Sequence, residues 1–138
     1  MTTRFSLNPD ARDWTAEDAP TRAPLQLHRK LPGYEPTPLV QAPPIAEALG
    51  VAEVWVKDES SRLGLPAFKT LGASWASYQA IEEHRGEPIG EWSTLDELAE
   101  HLGDMRPMRL VAATDGNHGR AVARMARLLG FSSDIFVP

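Results

Sequence analysis

The run that most constrains this chain is MRLVAATDGNHGRAVARMARLLGFSSDIFVP, from Met108 to Pro138. MRLVAAT is a continuous apolar strand pattern, the kind that a parallel sheet buries on both faces. DGNHG then makes a tight turn. In RAVARMARLLG, helical spacing puts Val122, Met125, Ala126 and Leu129 on one face and Arg120, Arg124 and Arg127 on another. Gly130 suits the left-handed position that ends such a helix. SDIFVP reads as a second strand. Parallel strands need a crossover, usually a helix, so residues 109–137 are predicted to form a strand–helix–strand unit with a parallel pair. The fold class is α/β.

Upstream, residues 1–38 are rich in proline and charge and read as an irregular arm laid over a surface. PPIAEALG (Pro43 to Gly50) is predicted as a short helix, with proline in its first turn and glycine after its end. AEVWVK follows as a strand. From Ala67 to His84 the pattern is helical, with Leu71, Trp75, Ala76 and Tyr78 at helical spacing. Thr94, with Glu97 three residues on, is predicted to cap a helix through Leu102. A sheet of two or three parallel strands has little apolar cover, and the last strand has no helix after it. The chain therefore reads as the front portion of a longer polypeptide, incomplete at its C-terminal end.

Several chemistries are excluded outright. The 138 residues contain no cysteine, so disulfides, thiolate metal sites and a cysteine nucleophile are absent. The formal net charge is −5, and no basic block with interleaved aromatics marks a nucleic-acid surface. The arginine face of the 120–130 helix reads as a short solvated stripe. No apolar run reaches membrane-spanning length. The N-terminal stretch lacks an apolar signal core, which makes a cytoplasmic location the expectation. His84, His101 and His118 lack partners at metal-ligand spacing, so no metal site is expected.

Two stretches carry candidate chemistry. In ESSRLGLPAFKTLGAS, Lys69 falls in the first turn of a helix, beside Phe68 and Leu71. The positive end of a helix disfavours a cation, and burial disfavours one too. Both favour a neutral amine able to attack an aldehyde. Gly72, Ala73 and Ala76 leave the same face bare, as if something flat lies there. The plain alternative is a lysine that reaches solvent over a small-residue packing face. In ATDGNHGR, Gly116 and Gly119 let the backbone turn and present its N–H groups at a helix N-terminus, an anion site. Asp115 adds negative charge beside that site and is a candidate for proton transfer. The plain alternative for Asp115 and Asn117 is capping and turn formation.

The pair KDESSRLGLPAFKTLGAS and ATDGNHGRAVARMARLLG, in this order, resembles the tryptophan-synthase-β-like, or fold type II, pyridoxal-phosphate enzymes. Within them it is most similar to the diaminopropionate ammonia-lyase branch. PTPL, from Pro36 to Leu39, is similar to the family's opening segment. The resemblance implies a cofactor, pyridoxal 5′-phosphate, held covalently as a Schiff base by Lys69. It implies that Phe68 precedes the lysine as the family's aromatic and that Asn117 bonds the cofactor's ring hydroxyl. It places the substrate carboxylate on the loop of Thr114, Gly116, Asn117 and His118, and gives Asp115 the role of base toward the α-proton. Dehydratases of the superfamily carry serine or threonine where Ala67 and Asp115 stand, which favours α,β-elimination of 2,3-diaminopropionate to pyruvate and ammonia. A serine or threonine dehydratase, or a non-catalytic remnant, are the alternatives. The resemblance also implies part of a large cofactor domain over 39–85, the first part of a smaller α/β domain over 86–138, and a homodimer for the full-length protein. The family's phosphate loop and pyridine-nitrogen partner lie further downstream, so these residues alone are expected to be inactive.

Overall fold

The structure is a computed structural model and describes residues 21–138. Residues 1–20 of the expected arm lie outside the described residues. The elements, in chain order, are α1 (Ala23–Arg29), β1 (Leu39–Gln41), α2 (Pro43–Leu49), β2 (Trp55–Lys57), α3 (Lys69–Arg85), α4 (Leu95–His101), β3 (Arg109–Ala113), α5 (Gly116–Leu128) and β4 (Ser132–Phe136). β3 and β4 pair in parallel, from Arg109 opposite Ser132 to Ala113 opposite Phe136. α5 is their crossover, as the sequence pattern predicts. β1 and β2 form a separate antiparallel pair.

The core follows from local spacing. On α5, Val122, Met125 and Ala126 are buried, with Leu129 at its end, while Arg120 and Arg127 remain exposed. α4 starts with the expected capping box. Glu97 N–H donates to Thr94 Oγ1 at 3.2 Å, and the Glu97 carboxylate accepts from the backbone of Ser93 and Thr94. Leu95, Leu98 and Leu102 then face inward. One apolar cluster joins Leu27 and Leu31 to Ile81, Leu98, Leu110 and Leu129.

Three expectations are corrected. The arm is not wholly irregular: α1 forms over Ala23–Arg29 and buries Leu27 and His28, with Leu31 just beyond it. Its proline stands in the first turn, where no helical N–H is lost. β3 is not buried on both faces, since only Leu110 is buried and Val111 is 61% exposed. One side of the parallel pair carries α5; the other faces outward. Finally, the residues that α3 buries fully are mostly small, while Leu71, Trp75 and Tyr78 are half-buried against the core. The helix's inward face is Thr70, Ala73, Ser74, Ser77 and Ile81, and Ala76 is exposed. Small residues let α5 approach closely. The hydroxyls are satisfied within the helix, with Thr70 Oγ1 donating to Ala67 O at 3.3 Å and Ser74 Oγ to Leu71 O at 3.0 Å.

Candidate active site

Lys69 opens α3, as its position after Pro66 suggests. The approach to it is tightly shaped. Arg62–Gly64 form a single 3-10 turn in which Leu63 has φ +50°, a left-handed value that a branched side chain rarely takes. Gly64 follows at φ +70°.

The apolar enclosure expected around Lys69 is absent. Lys69 is exposed and Phe68 is 64% exposed. The cause is helical phase: with Thr70, Ala73, Ser74, Ser77 and Ile81 turned inward, Lys69 falls outside that face, on its flank. Gly72 and Ala76, three and seven residues on, share that outward side, whereas Ala73 is buried. A side chain at Gly72 would meet nothing within 4 Å. The face beside the amine is therefore bare, as the spacing suggests, but it is bare toward solvent.

The second stretch sits where β3 ends and α5 begins. The turn read as DGNHG is in fact the helix's first turn, because α5 starts at Gly116. Asp115 occupies the N-cap with extended backbone, yet its carboxylate makes no cap hydrogen bond. Gly116 takes φ +53°, a left-handed value that glycine adopts without strain. Gly119 fixes how closely the helix lies on the sheet: a Cβ there would stand 2.7 Å from Ile135 Cγ2. Thr114 N–H donates to Phe136 O at 2.9 Å, extending the parallel ladder to the edge of the turn. Asn117 is exposed and His118 half-buried. The first N–H groups of a helix have no intrahelical acceptor, so this end offers main-chain donors to a carboxylate.

α3 and α5 pack against each other, with Thr70, Ser74, Ala121 and Met125 lining a cavity of about 20 Å³ between them. The fold thus sets both stretches at the starts of two adjoining helices. Among the described residues, no group of histidine and carboxylate side chains could hold a metal ion, and no helix is long and apolar enough to cross a membrane.

A cluster that the sequence reading overlooked supports the lysine segment from behind. Arg62 is 5% exposed. Its Nε donates to Glu59 Oε2 at 2.6 Å, Nη2 to Glu59 Oε1 at 2.9 Å and to Thr37 Oγ1 at 2.7 Å, and Nη1 to Glu35 O at 2.8 Å. The Arg62 guanidinium, helped by the Thr37 hydroxyl and opposed by burial, holds the Glu59 carboxyl down to about 2. Lys57 Nζ donates to Thr37 O. Nearby, buried His28 donates from Nε2 to Leu71 O at 2.8 Å, tying α1 to the first turns of α3. Burial, against the Leu71 bond and with Arg62 close by, pushes the His28 imidazole below its ordinary value. The available signal was Glu59 and Arg62 at a spacing of three residues; nothing in the sequence pointed to Thr37 or His28.

Comparison with known proteins places this arrangement. The pyridoxal-phosphate dependent enzyme family matches residues 30–138, most of the chain. The chain belongs to that family. Pyridoxal 5′-phosphate is the cofactor of these pyridoxal-phosphate dependent enzymes. Diaminopropionate ammonia-lyase of Escherichia coli K12 is 42% identical over 113 residues, 82% of this chain and 28% of that protein. The Salmonella typhimurium LT2 enzyme of the same name is 38% identical over 118 residues, 83% of the chain and 28% of its own length. A crystal structure of Escherichia coli diaminopropionate ammonia lyase, in complex with an aminoacrylate-PLP azomethine reaction intermediate, superposes with a TM-score of 0.67 at 39% identity. It covers 83% of this chain and 27% of that one. The chain thus spans a little over a quarter of the length of these relatives, and its fold matches the corresponding part of theirs.

Proposed function

We propose that this chain is part of a pyridoxal-phosphate dependent ammonia-lyase that eliminates the β-amino group of 2,3-diaminopropionate. The observation that carries this reading is the 42% identity to a diaminopropionate ammonia-lyase across most of the chain. The residues present fit the cofactor. A primary amine stands at the head of α3 beside an exposed aromatic ring, and the open space at Gly72 leaves room for a flat ring over the same face.

Lys69 is the residue whose amine would hold the cofactor through its aldehyde, with Phe68 alongside. Asn117 would offer its side-chain amide to the cofactor's ring. Main-chain donors between Thr114 and His118, at Gly116 above all, grip the substrate carboxylate, because the helix end supplies both N–H groups and partial positive charge. Asp115 accepts the α-proton. Its carboxylate makes no cap hydrogen bond, which leaves its oxygens free for this role. When bound, pyridoxal phosphate supplies the electron sink that makes the α-proton removable. Loss of the α-proton and the β-amino group yields one ammonia and 2-aminoacrylate, whose hydrolysis gives pyruvate and a second ammonia. Residues 39–85 belong to the large cofactor domain in this reading and 86–138 to the smaller one. The complete protein is a homodimer acting on a small amino acid in the cytoplasm.

The test is a side-by-side measurement, on the complete polypeptide loaded with cofactor, of pyruvate formed from 2,3-diaminopropionate and from serine. Preference for the diamino acid is expected. Preference for serine would overturn the ammonia-lyase reading in favour of a dehydratase.

A further inference from the structure

A groove of about 500 Å³ runs along the outer side of α5, lined chiefly by Leu65, Arg120, Arg124, Arg127, Phe131 and Ser133. No acidic side chain is part of its wall. Among the described residues, the ion pairs to arginine are made by Arg62, Arg85 and Arg109; Arg120, Arg124 and Arg127 make none. Like charges at this helical spacing repel one another. Three of them directed along one groove, with no carboxylate to offset them, form a site for negative charge. One member is seated rather than loose. Arg124 is half-buried and its guanidinium lies against Gly64, where a Cβ would come within 3.1 Å of Nη1. The chain as a whole carries a net charge of −5, so its overall field repels anions and attraction must be local.

We propose that this groove binds a chain of linked phosphates, as found in inorganic polyphosphate and nucleoside triphosphates. Arg120, Arg124 and Arg127 span roughly 10 Å of helix axis. Each guanidinium offers a planar fork that matches phosphate oxygens in pairs. A row of forks suits a row of phosphates better than a compact carboxylate cluster, which engages one or two. Leu65 and Phe131 give one wall an apolar surface. The groove runs along the outer face of α5, whereas the Asn117 stretch caps that helix's end, so the assignment does not depend on the ammonia-lyase reading.

The test is calorimetric titration of the complete polypeptide, its pyridoxal-phosphate site filled, with inorganic tripolyphosphate, adenosine triphosphate and citrate at low salt. Saturable one-site binding of tripolyphosphate is expected, weakening as salt rises, with citrate weaker by about tenfold or more. Equal or weaker binding of the nucleotide assigns the groove to the phosphate chain alone; tighter binding assigns it to a nucleotide whose base meets the apolar wall. Arg127→Glu, at an exposed position where folding is not at stake, is expected to lower affinity by about tenfold with an unchanged circular dichroism spectrum. The proposal is overturned by any of three results: no saturable tripolyphosphate binding, citrate binding as tightly, or full affinity retained in both Arg127→Glu and the triple glutamine variant of Arg120, Arg124 and Arg127.

Discussion

Glu59 and His28 give the protein a defined response to acid. Glu59 titrates near 2 in the fold, against an ordinary value of 4.5. The unfolded chain therefore takes up that proton first as pH falls, and stability is lost between about 4.5 and 2. His28 is also depressed, from 6.5. Burial favours its neutral ring, so below 6.5 the unfolded state again binds more protons and stability falls, levelling off once the folded ring is protonated as well. Thermal unfolding followed between pH 8 and pH 5 is expected to show a falling melting temperature. His28→Gln, which keeps a donor toward Leu71 O, is expected to flatten that slope. An unchanged slope in the variant would show that His28 is not its source. Neither residue drew notice in the sequence, because burial of a histidine and closure of an Arg62–Glu59–Thr37 cluster depend on segments some 25 to 43 positions apart. Lys69, Asp115 and Asn117 were legible because spacing alone sets them at helix starts. The enclosure of Lys69 was not: small residues on both sides of α3 left the inward face undetermined until α5 chose it.

At the scale of elements, the strand–helix–strand unit was readable because α5 has a single apolar stripe and a glycine on either side of its first turn. α1 was not readable: seven residues, a proline and two basic positions resemble a loop until Leu27 and Leu31 find the core. Gly119 shows how closely the elements are fitted. A methyl group there would stand 2.7 Å from Ile135 Cγ2, the helix-to-strand contact that seats the Asn117 turn. Gly119→Ala gains helix propensity, worth about 1 kcal/mol. It also overpacks the contact by about 1–3 kcal/mol, so a net loss of about 1 kcal/mol is expected in chemical denaturation. Gly119→Ala is expected to cost less in an Ile135→Ala background than in the parent, since the colliding atom is then gone. A Gly119→Ala protein more stable than its parent would show that the sheet yields freely and that glycine is not required for this approach.

For the whole molecule, exposed apolar side chains fall along both strand pairs: Leu39, Val40, Trp55 and Val56 on the antiparallel pair, Val111, Phe136 and Val137 on the parallel one, with Phe68 at the head of α3. Patches of this kind mark surfaces that meet something else. The relatives are between three and four times as long as this chain's match to them. The sequence could not show which side of the β3–β4 pair is covered, because a uniformly apolar strand carries no phase. It could show that two motifs in fixed order belong to one family, and the family match over residues 30–138 bears that out. In the proposed reading the chemistry rests on Lys69. The most direct measurement is borohydride reduction of the complete polypeptide with pyridoxal phosphate bound, followed by peptide mass mapping. A single pyridoxyl group on the peptide containing Lys69, with Lys30 and Lys57 unmodified, is the predicted result; a pyridoxyl group on another lysine with Lys69 untouched would contradict it.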